Sequence, residues 1–261
     1  MKPTAERFYK TVAVEPPGTA AGDGRERGYA VRLDGRPIRT PGGRPLILPS
    51  LESAEAVAAE WRAQPARIEV AAMPLTRLAS TALDRVAENM PAVIDILLGY
   101  AGAELLCYRA EAPADLVQRQ QAQWQPLLDW AAERWDARLA VTSGVVPVAQ
   151  PAAALAALRR SLEAADPWRL TALAVIAQAC GSLVLALAVG EGRLDADGAF
   201  ALSQLDEIYQ SERWGEDYEA AERRLHLRDE IAEASAFMML VDGGAAVQPP
   251  TPSEQGGRKK A

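Results

Sequence analysis

The pattern of apolar and polar positions changes near residue 50, from strand-like alternation to helical spacing. Residues 29–33 alternate, Asp34 and Gly35 form the strongest two-residue signal for a hairpin turn, and residues 36–40 return antiparallel. The turn alone accounts for Asp34 and Gly35, so we expect both to be structural. Such a ribbon is marginally stable by itself and must lie on another element.

Two more strands are expected before the helices begin. A Pro-Gly-Gly turn leads into a third strand at 44–48, and a further strand is expected at 67–70. The helix that Ser50 caps carries Trp61 on its apolar face, so we expect the Trp61 ring to be structural and to dock the ribbon on the helices. Residues 1–72 are therefore predicted to form a small β-rich N-terminal domain with one helix.

Helical spacing dominates the rest of the chain and predicts an all-helical domain over residues 73–242. Pro126 lies inside one of the expected helices, where it should cause a kink or a break. The fold class is therefore α+β, and the Pro/Gly-rich tail at 243–261 is expected to be disordered. The expected helices begin at Pro74, Met90 and Pro113 and then cover residues 151–165, 167–189, about 196–213 and about 216–240.

Residues 170–190 carry no charge and are long enough to imitate a membrane span. Gln178 and Gly181 lie at its centre, and the flanks lack the charge asymmetry and aromatic belt of a membrane helix. The stretch also follows a soluble helix start, with Asp166 as the cap and Pro167 at the first helical position. These features predict a buried core helix, without stable membrane insertion.

The acidic charge of the chain is concentrated between residues 191 and 233, which hold thirteen acidic residues against five arginines. The remainder is close to neutral and shows no basic face, which argues against a nucleic-acid partner. Cys107 and Cys180 lie among apolar residues, as is typical of buried thiols in a reducing compartment. The first residues hold neither an apolar signal core nor an Arg-rich transit helix, so we expect a cytoplasmic protein.

The segment 205–220, LDEIYQSERWGEDYEA, combines many carboxylates with three aromatic side chains. A run of this composition is either a solvated helix face or a surface prepared for a partner, and the tryptophan favours a partner. We expect Glu207 beside the buried face of the helix, where its carboxylate needs a cation or a capping backbone group. The candidate partner-binding residues are Asp206, Glu207, Tyr209, Glu212, Arg213, Trp214, Glu216 and Asp217.

Reactive groups for catalysis are scarce in this chain. His226 is the only histidine, and with Glu222 four residues earlier on a helix it is more typical of a surface contact than of a nucleophilic site. We therefore expect no catalytic residue, no metal site and no cofactor. The alternative is a helical-domain enzyme, or a divalent-ion-binding protein, that uses the acidic residues of 195–217.

Seven segments together resemble one family, the assembly chaperones that act on the α subunit of the F-type ATP synthase. They occur in order and cover most of residues 7–240. The segments are RFYK (7–10), VRLDGRPIRTPGGRPLILPS (31–50), AAEWRAQ (58–64), MPLTRLASTALD (73–84), ELLCYRAEAP (104–113), WQPLLDWA (124–131) and EGRLDADGAFALSQLDEIYQSERWGED (191–217).

The resemblance implies a small β-rich domain followed by an all-helical domain, and an activity that is not enzymatic. It implies that the chain binds the free α subunit and prevents its aggregation until the β subunit takes its place. We expect the chain itself to be a monomer. Bacterial members are expected in the cytoplasm, and related eukaryotic proteins in the mitochondrial matrix. Within the hairpin region, Arg36, Arg39 and Arg44 are the positions to test for binding.

Overall fold

Four antiparallel strands form the N-terminal sheet of this computed structural model, which describes residues 6–17, 28–144, 146–215 and 218–243. The second strand is central and pairs with each of the others. Asp34 and Gly35 both have positive φ, +47° and +78°, as the hairpin between the second and third strands requires. The strands are β1 (Val12–Glu15), β2 (Tyr29–Leu33), β3 (Arg36–Pro37) and β4 (Ile47–Leu48).

The sheet differs from the expected meander in two places. The expected strand at 44–48 is reduced to β4, which pairs with β2, while Arg39 and Pro45 form a single bridge. The expected strand at 67–70 is wrong, because Arg67 makes only an isolated bridge to Glu6 and a 3-10 turn follows at Val70–Ala72. This segment is held by contacts with residues near the N-terminus of the chain, such as Glu6. A local sequence pattern does not reveal contacts between residues so far apart.

The sheet lies against α1 (Leu51–Arg62), which Ser50 and Ser53 start with a reciprocal capping box. The Tyr9 hydroxyl donates to the Trp61 carbonyl at 2.7 Å, and the two rings meet edge to face with centroids 5.6 Å apart. Trp61 is half-buried and packs against the core. This contact places the Trp61 ring at the junction between the ribbon and the helices.

The helical part confirms the expected fold class, α+β with a small β-rich region followed by helices. At its centre the helix Pro167–Cys180 contacts the helices Met90–Gly102, Leu183–Gly190 and Tyr218–Val241, and the short strands β5 (Tyr108–Arg109) and β6 (Thr142–Ser143) pair in parallel. The helices are α2 (Pro74–Thr81, continued by a π-helical turn at Ala82–Val86), α3 (Met90–Gly102), α4 (Ala114–Trp135), α5 (Ala152–Glu163), α6 (Pro167–Cys180), α7 (Leu183–Gly190), α8 (Ala196–Ser203), α9 (Leu205–Trp214) and α10 (Tyr218–Val241).

Two helices expected as single elements are each divided. Residues 167–189 form α6 and α7, because Gly181 takes a left-handed conformation (φ +66°) and the Ser182 side chain caps α7. Residues 196–213 form α8 and α9, separated at Gln204. Pro126 does not break α4, since it lies on the exposed side, where water can solvate the carbonyl that loses its N–H partner.

A buried carboxylate joins two parts of this core. Glu104 is fully buried and accepts hydrogen bonds from the backbone N–H groups of Leu183 (3.0 Å) and Val184 (3.2 Å) at the start of α7. Burial raises the pKa of Glu104 to about 7, against the lowering effect of these hydrogen bonds. Burial also raises the pKa of the Cys107 and Cys180 thiols to about 12.

One stretch of the described chain, Met90–Cys107, is long and apolar enough to cross a membrane by length and composition alone. Such a test is also passed by core helices of other proteins, and 33% of this stretch is buried inside the molecule. The uncharged run at 170–190 is instead divided into two short helices whose side chains are mostly buried.

Candidate functional site

One side of α9 is fastened to α4 by polar contacts. The Tyr209 hydroxyl donates to the Asp115 carboxylate at 2.8 Å, and the amide of Gln120 donates to Asp206 at 2.8 Å. Arg213 forms an ion pair with Asp115, and its guanidinium lies 4.5 Å from the centre of the Tyr209 ring. These contacts lock the buried face of α9 against a helix that is remote in sequence.

The electrostatics of this contact agree with its geometry. The hydrogen bond from Tyr209 lowers the pKa of Asp115, with a further contribution from the charge of Arg213. Burial raises the pKa of Tyr209, and so does its hydrogen bond to Asp115. Arg119 on α4 makes a two-pronged ion pair with Glu212, at 2.8 and 3.3 Å. Four of the eight predicted partner-binding residues therefore contact α4 through their side chains: Asp206, Tyr209, Glu212 and Arg213.

Glu207 and Trp214 lie on the accessible side of α9. The Trp214 side chain is 75% exposed, and Glu207 is exposed rather than placed beside the core as its sequence position suggested. Within the described ranges, no hydrogen bond or ion pair engages the Glu207 carboxylate. Both residues line a cleft of about 530 Å³ between α9 and α10, together with Arg223 and Leu227.

The N-terminal half of α10 adds apolar surface that the sequence analysis did not assign to the site. Tyr218 is 80% exposed and Leu225 is 59% exposed. Leu225 also lines a second cleft of about 590 Å³, with Phe200 and Ile208. One sequence feature points to this surface: Leu225 lies within the charged run RRLHLRDE. A leucine on a buried helix face would have apolar neighbours three and four residues away, so this leucine is expected to face solvent.

Polar contacts among the described residues help to hold α10 in place beside these clefts. Arg228 forms an ion pair of 2.8 Å with Asp197 on α8, and it lowers the pKa of that carboxylate. Arg224 donates to the Ser211 hydroxyl on α9 at 3.1 Å. Glu216 and Asp217, which complete the predicted set, lie outside the described residues. Glu207 and Trp214 line the first cleft and Leu225 lines the second, and we call these three exposed side chains, together with that of Tyr218 on α10, the α9–α10 surface.

The α9–α10 surface offers carboxylate, aromatic and aliphatic groups, which are suited to binding a partner. His226 is exposed on α10. In the part of the chain that the structure describes, no three His, Cys, Asp or Glu side chains approach closely enough to hold a metal ion. A partner would meet the exposed ring of Trp214 and the carboxylate of Glu207 on α9, a helix whose opposite side is held by polar contacts with α4.

Comparison with known proteins gives a consistent result. Residues 6–132 match the family described as ATP12 chaperone protein. The crystal structure of Atp12 from Paracoccus denitrificans is 43% identical, with a TM-score of 0.84, and the match covers 91% of this chain and 98% of that one. A structure of a protein from Agrobacterium tumefaciens is 38% identical, with a TM-score of 0.83, over 93% of this chain and 87% of that one.

A curated relative extends the similarity to a eukaryote. Protein atp12, mitochondrial, from Schizosaccharomyces pombe is 25% identical over 226 residues, which are 82% of this chain and 75% of the relative. The matching relatives thus include bacterial proteins and a mitochondrial protein.

Proposed function

The chain belongs to the ATP12 chaperone family, and on that premise we propose that it assists assembly of the F-type ATP synthase. It binds the unassembled α subunit of the catalytic head and prevents its aggregation until the β subunit takes its place. This work is done by binding alone, without a catalytic residue or a cofactor. It takes place where the catalytic head is assembled, in the bacterial cytoplasm or the mitochondrial matrix.

The observation that supports this proposal most directly is the exposed α9–α10 surface on a fixed helix. Large exposed aromatic side chains on a soluble protein are typical of interaction sites, and tryptophan and tyrosine dominate binding energy where they become buried. A subunit of an alternating ring exposes partly apolar surfaces before its neighbours arrive. Trp214, Tyr218 and Leu225 can cover such a surface while the charges around them favour correct pairing.

The eight predicted partner-binding residues divide into two roles in this proposal. Glu207 and Trp214 touch the α subunit, and Glu216 and Asp217, which follow Trp214 after one glycine, share that role. The other four residues contact α4 and hold α9 in the orientation that binding needs, which lowers the entropy lost when the partner binds. They are Asp206, Tyr209, Glu212 and Arg213.

The deciding experiment is co-expression of the chain with the α subunit. We expect a higher soluble yield of the α subunit and a co-purifying complex whose dissociation constant is micromolar or below. An unrelated helical protein of similar charge serves as the control for non-specific solubilisation. The proposal fails if purified chain binds neither the α subunit nor its aggregation-prone form at about micromolar concentration.

A further inference from the structure

A cavity of about 570 Å³ opens between α2, the end of α1 and the turn that follows β3, apart from the two clefts described above. It shares no lining residue with the two clefts of α9 and α10. Ile68 and Met73 form a buried apolar floor, the Trp61 ring lines one wall, and Val70 stands 59% exposed at the edge. Three of the segments that carry the family resemblance meet here, although they are separate in the sequence.

Three arginines surround this cavity. Arg39, Arg77 and Arg85 are all exposed and line it. Arg39 donates to the Gly43 carbonyl at 2.7 Å, whereas no side-chain hydrogen bond or ion pair engages Arg77 or Arg85 within the described residues. Burial raises the pKa of Glu60 and of Glu233, and the charge of Arg77 acts in the opposite direction on both carboxyls.

Among the described residues, the acidic side chain that lines the cavity is Asp84, and its carboxylate already has partners. The Asp84 carboxylate accepts from the Thr40 hydroxyl at 2.6 Å and from the Gly42 N–H at 2.7 Å, and Arg44 lies 3.9 Å away. The negative charge of Asp84 is therefore compensated by groups of the turn after β3 and by Arg44. The rim as a whole presents positive charge above an apolar floor.

The geometry argues against a small phosphate ligand. Phosphates commonly bind at a helix N-terminus, where free backbone N–H groups point at the anion. Here Glu60 accepts from the N–H groups of Leu75 (2.7 Å) and Thr76 (2.8 Å), so the start of α2 is already capped. An apolar floor with charges spread around its rim suits a side chain with flanking carboxylates better than a compact anion.

We propose that this cavity is a second docking site for a protein client, and that it takes a segment in which a bulky apolar side chain is flanked by carboxylates. The apolar side chain fills the space above Ile68 and Met73, and the carboxylates pair with Arg77 and Arg85. Because the α9–α10 surface presents the exposed carboxylate of Glu207 and this rim presents arginines, the two sites favour different segments of a client. The inference does not depend on which subunit the client is.

The test uses fluorescence anisotropy with a fluorescein-labelled peptide, Glu-Asp-Leu-Phe-Glu-Asp, and a second peptide in which lysine replaces every acid. We expect the full chain to bind the acidic peptide more tightly than the basic one. The double variant R77E/R85E should weaken that binding about tenfold or more. The matched control R138E/R160E changes the net charge equally at exposed arginines outside this cavity and should leave binding within about twofold.

A second pair of variants tests the same cavity in case R77E/R85E does not fold. Val70→Glu places a carboxylate at the edge of the cavity and should also weaken binding of the acidic peptide, whereas Val146→Glu, at another exposed valine, should not. If R77E/R85E does not fold, this pair decides the outcome.

Three results would overturn the proposal. In the first, the control variants weaken binding of the acidic peptide as much as the cavity variants do. In the second, the chain binds the basic peptide more tightly. In the third, the chain binds both peptides equally and inorganic phosphate or ATP displaces them. Glu207→Lys on α9 should leave peptide binding unchanged. If the wild-type chain binds the acidic peptide but does not bind the α subunit, the proposed function alone fails.

Discussion

The hydroxyl of Tyr209 donates a 2.8 Å hydrogen bond to the carboxylate of Asp115, a residue 94 positions earlier in the chain. The bond joins α9 to the first turn of α4, and Arg213 pairs with the same carboxylate. The buried side of α9 is thus defined by polar contacts as well as by Leu205, which is 1% exposed. Whatever binds the opposite side of α9 meets a helix whose orientation is already set.

Tyr209→Phe should loosen α9 while leaving the ring packing in place. The substitution removes the hydroxyl donor, so Asp115 keeps only its pairing with Arg213, and the melting temperature should fall by a small amount. Amide hydrogen exchange in α9 should become faster, and α-subunit binding should weaken with it. Tyr218→Phe is the matched control, because its ring is exposed and its hydroxyl has no hydrogen-bond partner in the described chain. Equal exchange rates in the two variants would contradict this role for the bond.

Glu207→Lys should impair α-subunit binding without changing stability. The carboxylate is exposed and has no ion pair to lose, so reversal of its charge should not lower the melting temperature. Binding should become weaker and less sensitive to salt, since an attractive charge has been removed. Glu133→Lys, at an exposed position on α4, serves as the control. Undiminished binding by the Glu207 variant, at both low and high salt, would remove this charge from the proposed contact.

Glu104 should make the stability of the protein depend on pH in an unusual direction for a carboxylate. Its pKa is raised to about 7 in the folded state from an ordinary value of 4.5. The protonated form is therefore favoured by folding, and this stability is fully present below the ordinary pKa and lost as pH rises through about 7. The loss is on the order of 3 kcal/mol between about pH 4.5 and pH 8.

Glu104→Gln should flatten this dependence. The amide oxygen of glutamine can still accept from Leu183 and Val184, but it does not ionise. We expect the melting temperature of the wild type to fall more between about pH 5 and pH 8 than that of the variant. The difference between the two proteins cancels the contributions of Glu60, Glu233 and Asp242, whose pKa values burial also raises. Parallel curves would show that Glu104 is ionised throughout this range.

The starts of several elements could be predicted from local sequence because the interactions that define them are local. Ser50, Asp166 and Asp195 each cap a helix within three residues, and Asp34-Gly35 sets its own turn. The divisions at Gly181 and Gln204 could not be predicted in this way, because glycine inside a helical pattern can be tolerated or can end a helix, and glutamine is an ordinary helix former. Packing decides the outcome at both positions.

The partners of α9 could not be predicted in the same way. Asp115, Arg119 and Gln120 lie more than 80 residues from the side chains they contact, and no periodic pattern in the segment 205–220 points to them. A carboxylate that is bound to α4 and one that faces solvent look alike in the sequence. Only the fold separates Glu212, which pairs with Arg119, from Glu207.

Trp61→Arg should destabilise the protein by about 2–4 kcal/mol, through lost packing at the junction and a charge placed among apolar groups. The Trp61 carbonyl accepts from Tyr9, but that bond uses the backbone, so the cost comes from the ring. Urea unfolding measures the difference, and Trp61→Phe should recover most of the loss because it restores an aromatic contact with Tyr9. A Trp61→Arg protein with wild-type stability and no α-subunit binding would show that the ring contributes to binding and not to packing.

Trp214→Ala should separate binding from folding more clearly than any other change. The ring is 75% exposed at the end of α9, so its removal takes little packing from the free protein. Exposed tryptophans that become buried in an interface commonly cost about 2 kcal/mol or more when truncated, which is roughly thirtyfold in dissociation constant. Ile96→Ala is the control, because Ile96 is also large, apolar and 61% exposed, but lies on α3. If the Trp214 variant melts earlier and binds as well as the wild type, the ring stabilises the α9–α10 surface and does not anchor the partner.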